Sequence, residues 1–147
     1  MAKKEVIGYT AGVFDLFHIG HLNLLRNAKS MCDKLIVGVS VDACVSHKNK
    51  KTIIPFEERV EIVEACRYVD AVVAQDNLDK FEAWKKLKFD ILFSGDDWRG
   101  VPRWVEYEKK LKEVGVKTVF FPYTKGTSSS ILADVLAKEL KSMKEGK

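Results

Sequence analysis

Cysteine is scarce and unpaired in this chain. Cys32, Cys44 and Cys66 are scattered, with no Cys-x-x-Cys pair. This excludes a disulfide framework and every common zinc spacing, and makes reduced thiols in a cytosolic protein the simplest reading. No apolar run approaches the length of a membrane span. Met1-Ala2-Lys3-Lys4-Glu5 has neither the apolar stretch nor the cleavage site of a secretory signal, so a cytoplasmic location is expected. Neither sign of charge dominates: 25 Lys and Arg against 21 Asp and Glu leave +4. That balance suits an anionic small-molecule substrate and argues only weakly for nucleic acid. There is no internal repeat and no linker. The 147 residues are therefore read as a single domain, 1–147, large enough to bury a core without staples.

What is there is an alternation. Short apolar, β-branched runs read as strands at Val6–Ala11, Lys34–Ser40, Ala71–Ala74, Asp90–Ser94 and Lys117–Phe121. Helical patterns fall between them. Gly20–Met31 sets Leu24, Leu25 and Ala28 on one face, and Pro55–Cys66 opens on proline. Phe81–Leu87 and Val101–Val114 follow, and Gly115 stops the latter. Ser128–Met143 carries Ile131, Leu132, Val135, Leu136 and Leu140 at helical spacing. Asp42–Thr52 reads as a loop, polar and basic over Ser46-His47-Lys48-Asn49-Lys50-Lys51. Strands alternating with helices mean βαβ units: an α/β fold, with a five-stranded parallel sheet and helices on both faces. Ligands of such sheets bind beyond the carboxyl ends of the strands, at the switch point.

Two of the three histidines stand together in His18-Ile19-Gly20-His21, directly after the first strand and its turn. Residues at i and i+3 share a helix face, so both imidazoles can address one target. A helix N-terminus offers that target free N–H groups and positive partial charge, which suits a phosphate.

The run Gly12-x-Phe14-Asp15-Leu16-x-His18-x-Gly20-His21 resembles the nucleotidyltransferase superfamily with the HxGH signature. Arg59 within Pro55-Phe56-Glu57-Glu58-Arg59, then Arg67-Tyr68-Val69-Asp70 and Gly95-Asp96-Asp97-Trp98, resemble its cytidylyltransferase branch. In size, order and spacing the chain is similar to the bacterial glycerol-3-phosphate cytidylyltransferases. The resemblance implies a Rossmann-like nucleotidyltransferase fold, a homodimer, and transfer of CMP from CTP to glycerol 3-phosphate, giving CDP-glycerol and pyrophosphate. Such a product would supply a wall polymer or capsule. A phosphate oxygen of the acceptor attacks the α-phosphorus, so catalysis is chiefly alignment and charge neutralisation, with Mg²⁺ carried on the triphosphate and no metal site of the protein's own.

The resemblance also assigns roles. His18 and His21 donate to the phosphates. Gly12 lets the backbone approach the nucleotide, with Val13 beside it; Gly20 lets the phosphates approach the helix. Phe14 packs under the site, and Asp15 orients His21 or caps the helix. Lys48 and Lys50 reach phosphate from the basic loop. Arg59 and Arg67 offer planar forks to phosphate, the alternative for each being a surface ion pair with Glu58 or Glu64. Asp97 recognises nucleotide or acceptor and Trp98 walls the site, while Asp70 braces its turn. Gly126, Thr127, Ser128 and Ser129 start the last helix and grip the β- and γ-phosphates.

One departure stands out. The glycerol-3-phosphate branch has an arginine near Pro122, where this chain reads Pro122-Tyr123-Thr124-Lys125. Lys125 would supply the missing charge, but without the fork. The helix Val101–Lys112 is also longer than the closest pattern. Phosphocholine, phosphoethanolamine or another polyol phosphate are therefore competing acceptors, and ATP a competing nucleotide. A nucleic-acid-binding module using Lys48–Lys51 would instead show steeply salt-dependent binding. A metal-binding regulator using His18, His21 and Cys32 matches no zinc spacing.

Overall fold

The computed structural model describes residues 4–46, 52–122 and 128–145. Five strands, β1 (Ile7–Gly12), β2 (Lys34–Ser40), β3 (Ala71–Gln75), β4 (Ile91–Gly95) and β5 (Lys117–Phe121), form one sheet in the order β3-β2-β1-β4-β5. Every pairing is parallel. The helices are α1 (Ile19–Lys29), α2 (Asp42–Ser46), α3 (Phe56–Glu64), α4 (Lys80–Leu87), α5 (Pro102–Glu113) and α6 (Ser129–Glu145). The five expected strands and five expected helices are all present, each within two residues at its ends. Two short elements were not expected: α2, inside the anticipated loop, and a 3₁₀ turn at Asp96–Trp98.

The alternation of side chains along a strand divides the core between the two faces of the sheet. Leu35, Val37 and Val39 of β2 face one way and meet Leu25 and Ala28 of α1 and Val63 of α3. Ile36 faces the other way, with Tyr9, Phe89, and Trp104 and Leu111 of α5; Phe81, Trp84 and Leu87 of α4 pack on this side. Helices thus cover both faces, as a parallel sheet requires. Gly38 faces the second layer because the Tyr9 hydroxyl fills its side: a Cβ there would stand 2.3 Å from that oxygen.

Asp70 closes the amino edge as expected of a bracing residue. Its carboxylate accepts from the Leu35 N–H at 2.8 Å and pairs with the Lys29 ammonium at 2.6 Å. Burial alone would raise its pKa, but these donors outweigh it and hold the carboxyl below its usual range.

Candidate active site

The chain order reverses between β1 and β4, and a cleft of about 630 Å³ opens there at the carboxyl edge. Thr10 and Ala11 of β1 and Ser94 and Gly95 of β4 form its floor. The Thr10 hydroxyl, fully buried, donates to the Phe93 carbonyl at 3.0 Å and ties the two strands together under it. One wall is α1, through His18, Gly20, His21, Asn23, Leu24 and Asn27; Asp97 and Trp98 form the other, and Ser128 and Ser129 close one end.

The histidines are held by the backbone. His18 is the N-cap of α1: its Nδ1 accepts from the Gly20 N–H at 3.0 Å, while Nδ1 of His21 accepts from the His18 N–H at 3.1 Å. This is a capping box built from two imidazoles, satisfying two of the helix's free donors. The rings lie 4.0 Å apart, centre to centre, and Phe14 and Phe17 each approach the His21 ring at 5.3 Å. Burial pushes the His21 pKa down to about 4; the neighbouring His18 ring acts in the same direction and the Asp15 charge opposes it. Burial lowers His18 as well. A neutral ring whose Nδ1 accepts must carry its proton on Nε2. Each imidazole is therefore a neutral Nε2–H donor with its tautomer fixed before any ligand arrives.

Phe14 and Leu16 adopt left-handed backbone, φ 55° and 50°, which costs a non-glycine residue of order 1 kcal/mol. The contorted turn puts the Phe14 ring, buried, against Gly12, where a Cβ would stand 3.2 Å from it. Phe14 does pack beneath His21, and the strain lies where the chain passes from strand to site.

Asp15 and Arg59 hold other positions than expected. The Asp15 carboxylate accepts from the N–H groups of Ile53 and Ile54 at 2.8 and 2.9 Å; His18, not Asp15, caps the helix. Arg59 is 1% exposed. Its guanidinium donates to the carbonyls of Ile54, Val13 and Ser40 at 2.7–2.9 Å and pairs with Asp42, not Glu58 or Glu64, at 2.6 Å. Four of five donors are thus spent on protein, so the fork clamps the strand ends together where free presentation to a phosphate was expected. Val13 likewise takes part through its carbonyl.

Arg67 is not brought to the cleft. It borders a separate depression with Phe17, Leu22, Ile62 and Tyr68. It lies on the connection from α3 into the amino end of β3, whereas the floor of the cleft is formed by the carboxyl ends of β1 and β4. Lys48, Lys50, Lys125, Gly126 and Thr127, and Tyr123 with them, lie outside the described residues.

At the last helix, the Ser128 hydroxyl accepts from the Ile131 N–H at 3.1 Å, and the Ser129 hydroxyl donates to the Asp15 carbonyl. Asp97 is exposed at the cleft. Trp98 stacks on Trp104, centroids 5.8 Å apart. Asn23 and Asn27 were missed, although their i, i+3, i+7 relation to Gly20 is readable in the sequence. Leu24, expected on one helix face with Leu25 and Ala28, lines the cleft while those two are buried in the core. Among the described residues no three His, Cys, Asp or Glu side chains converge as a metal site would need, and no helix is long and apolar enough to cross a membrane.

A cleft at the switch point, with two fixed neutral donors and two helix N-termini, has the donors that suit phosphate oxygens. The cytidylyltransferase-like family model matches residues 9–140. The chain belongs to the cytidylyltransferase-like family. It is 36% identical to the glycerol-3-phosphate cytidylyltransferase of Bacillus subtilis (strain 168), over 91% of this chain and 98% of that one. It is 35% identical to an FAD synthase of Thermococcus sibiricus, over 82% and 83%. Among solved structures, the lipopolysaccharide core biosynthesis protein from Thermoplasma volcanium GSS1 superposes with a TM-score of 0.71 over 84% of this chain and all of that one. At 23% identity this last likeness speaks for the fold alone. The chain is a nucleotidyltransferase of this family, on a Rossmann-like sheet.

Proposed function

We propose that this cytidylyltransferase-family enzyme transfers CMP from CTP to glycerol 3-phosphate, releasing pyrophosphate and giving CDP-glycerol. The observation that supports this acceptor is the 36% identity to a glycerol-3-phosphate cytidylyltransferase along 98% of that protein; a second, from Bacillus spizizenii, is 38% identical over 86% of this chain.

In this reading the triphosphate lies across the N-terminus of α1, with Gly20 allowing its approach. An acceptor phosphate oxygen attacks the α-phosphorus as the bond to the β-phosphate oxygen breaks. Negative charge grows on the α- and β-phosphate oxygens, and the Nε2–H groups of His18 and His21 donate to it. Neutral donors suit this task because their tautomers require no reorganisation during the reaction. Ser128 and Ser129 with the start of α6 hold the departing phosphates; Lys48, Lys50, Lys125, Gly126 and Thr127 join them. Asp97 and Trp98 face the nucleotide or the acceptor. The described residues offer no carboxylate cluster, so Mg²⁺ would be held by the nucleotide's own phosphates, where it neutralises their charge. No polynucleotide enters the reaction.

A second reading follows from the FAD synthase likeness at 35% identity: the same bond formation, with ATP as donor and a flavin phosphate as acceptor. Pyrophosphate release with CTP or ATP, against glycerol 3-phosphate, phosphocholine, phosphoethanolamine, ribitol 5-phosphate and FMN, separates the two. The proposal expects turnover with CTP and glycerol 3-phosphate. Turnover confined to ATP and FMN would replace it by the second reading.

A further inference from the structure

Helix α1 sorts its polar side chains by charge. Arg26 and Lys29, its two cations, are engaged outside the cleft: the Arg26 guanidinium lies over the Tyr68 ring at 5.9 Å, and the Lys29 ammonium pairs with Asp70 at 2.6 Å. Asn23 and Asn27, its two asparagines, both line the cleft. Neither position belongs to the motifs that carry the family resemblance. Asparagine is a weak residue for a helix interior, because its amide competes for backbone hydrogen bonds. Two of them on the cleft side are therefore not explained by the helix itself.

Beyond the histidines, the α1 wall of the cleft is uncharged. Of the described residues that line the cleft, Asp97 alone carries a formal charge, and it stands on the other wall. Asn23 and Asn27 follow Gly20 by three and seven residues, about 4.5 and 10 Å further along the helix axis. Apolar surface accompanies them. Leu24 stands beside them on α1, and Phe121 and Pro122 line the cleft from the end of β5. The Phe121 ring is backed by the buried Phe93 ring, stacked at 5.6 Å with 10° between their planes, so it is a rigid flat surface.

Carboxamides among apolar walls suit a ligand group that is uncharged, flat and edged with hydrogen-bonding atoms. A nucleobase is such a group: its faces pack on aromatic and aliphatic side chains, and an asparagine can both donate to and accept from its edge. A small phospho-alcohol has no flat apolar face and carries its charge close to every atom. We propose that Asn23 and Asn27 are specificity-determining residues that read the edge of the donor nucleotide's base, with Leu24 and Phe121 packing on its faces. The assignment rests on the nucleotidyl-transfer reading, which lays the triphosphate across the start of α1. The base, joined to the α-phosphate through the ribose, then falls one to two turns further along the same wall.

The test is calorimetric titration of the full chain, with Mg²⁺, by CTP, by ATP and by inorganic tripolyphosphate, which carries the phosphates without a base. Asn23→Leu and Asn27→Leu keep the side-chain size and remove the amide. Each is expected to weaken CTP binding about five- to tenfold, the size of one hydrogen bond, and to leave tripolyphosphate binding as in wild type. That retained binding also shows that the site is still folded. In turnover the loss should appear in the KM for CTP and not in that for glycerol 3-phosphate. Wild-type affinity for CTP in both variants overturns the proposal. A raised KM for glycerol 3-phosphate with CTP binding unchanged also overturns it, and gives this wall to the acceptor. A wild type that binds ATP in place of CTP removes the cytidylyl reading alone; the same variants titrated with ATP then decide the base subsite, by a five- to tenfold loss or by none.

Discussion

His18 and His21 are positioned by main-chain N–H groups, so their orientation is as rigid as the start of α1 itself. This has a titration consequence. An unfolded imidazole titrates near 6.5 and the buried His21 near 4. Between those values the unfolded chain holds the extra proton, so stability rises with pH across that window. His21's contribution is complete above about pH 6.5 and is lost as pH falls toward 4, at most on the order of 3 kcal/mol. Urea unfolding at pH 4.5 and 7 should show this limb, and His21→Gln should flatten it. An imidazolium at His21 in the free protein at pH 7, seen by NMR, would contradict the assignment. Arg59 gives a second expectation. Arg59→Ala strips the Asp42 carboxylate and three carbonyls of a buried partner and should cost about 3–5 kcal/mol, read as a lower denaturation midpoint. The histidines were legible in the sequence because scarce residues stood at helical spacing after a strand. Arg59 was not, since nothing in a linear pattern says that a helix's arginine will be buried and spent on four protein acceptors. Asn23 and Asn27 were obscured because Leu24, Leu25 and Ala28 were assigned to one face of the helix, whereas Leu24 turns to the cleft beside the two asparagines.

At the scale of elements, α1 and α6 both present their N-termini to the cleft, and one hydroxyl joins their approaches: Ser129 donates to the Asp15 carbonyl in the turn before α1. Ser129→Ala should therefore raise the KM for the nucleotide several-fold with a smaller loss in kcat. An unchanged KM would separate this contact from binding. Packing within the sheet is equally specific. Gly38→Ala sets a Cβ against the Tyr9 hydroxyl and should destabilise the domain by about 1–3 kcal/mol, seen as a lower Tm. Strands and long helices were readable because period two and period 3.6 are set by burial. The five residues of α2 were not, being too short to show a period and adjoining the polar run that begins at Ser46. The sequence pattern of α6 was amphipathic as expected, but periodicity alone did not say that its apolar side would face outward.

For the whole molecule, topology decides which expectations meet. The order β3-β2-β1-β4-β5 puts the turn after β1 beside the turn after β4. It thereby joins His18 and His21 to Asp97 and Trp98, which lie far apart in sequence. Arg67, on the connection from α3 to β3, stays outside that cleft and borders the neighbouring depression with Phe17 and Leu22. The central claim is that the two fixed imidazoles drive nucleotidyl transfer, and pyrophosphate release from CTP with glycerol 3-phosphate and Mg²⁺ tests it most directly when wild type is compared with His18→Ala and His21→Ala. The account predicts turnover by wild type and losses of roughly a hundredfold or more in each variant, with the fold intact by circular dichroism. A folded His21→Ala enzyme that releases pyrophosphate at near wild-type rate would contradict it.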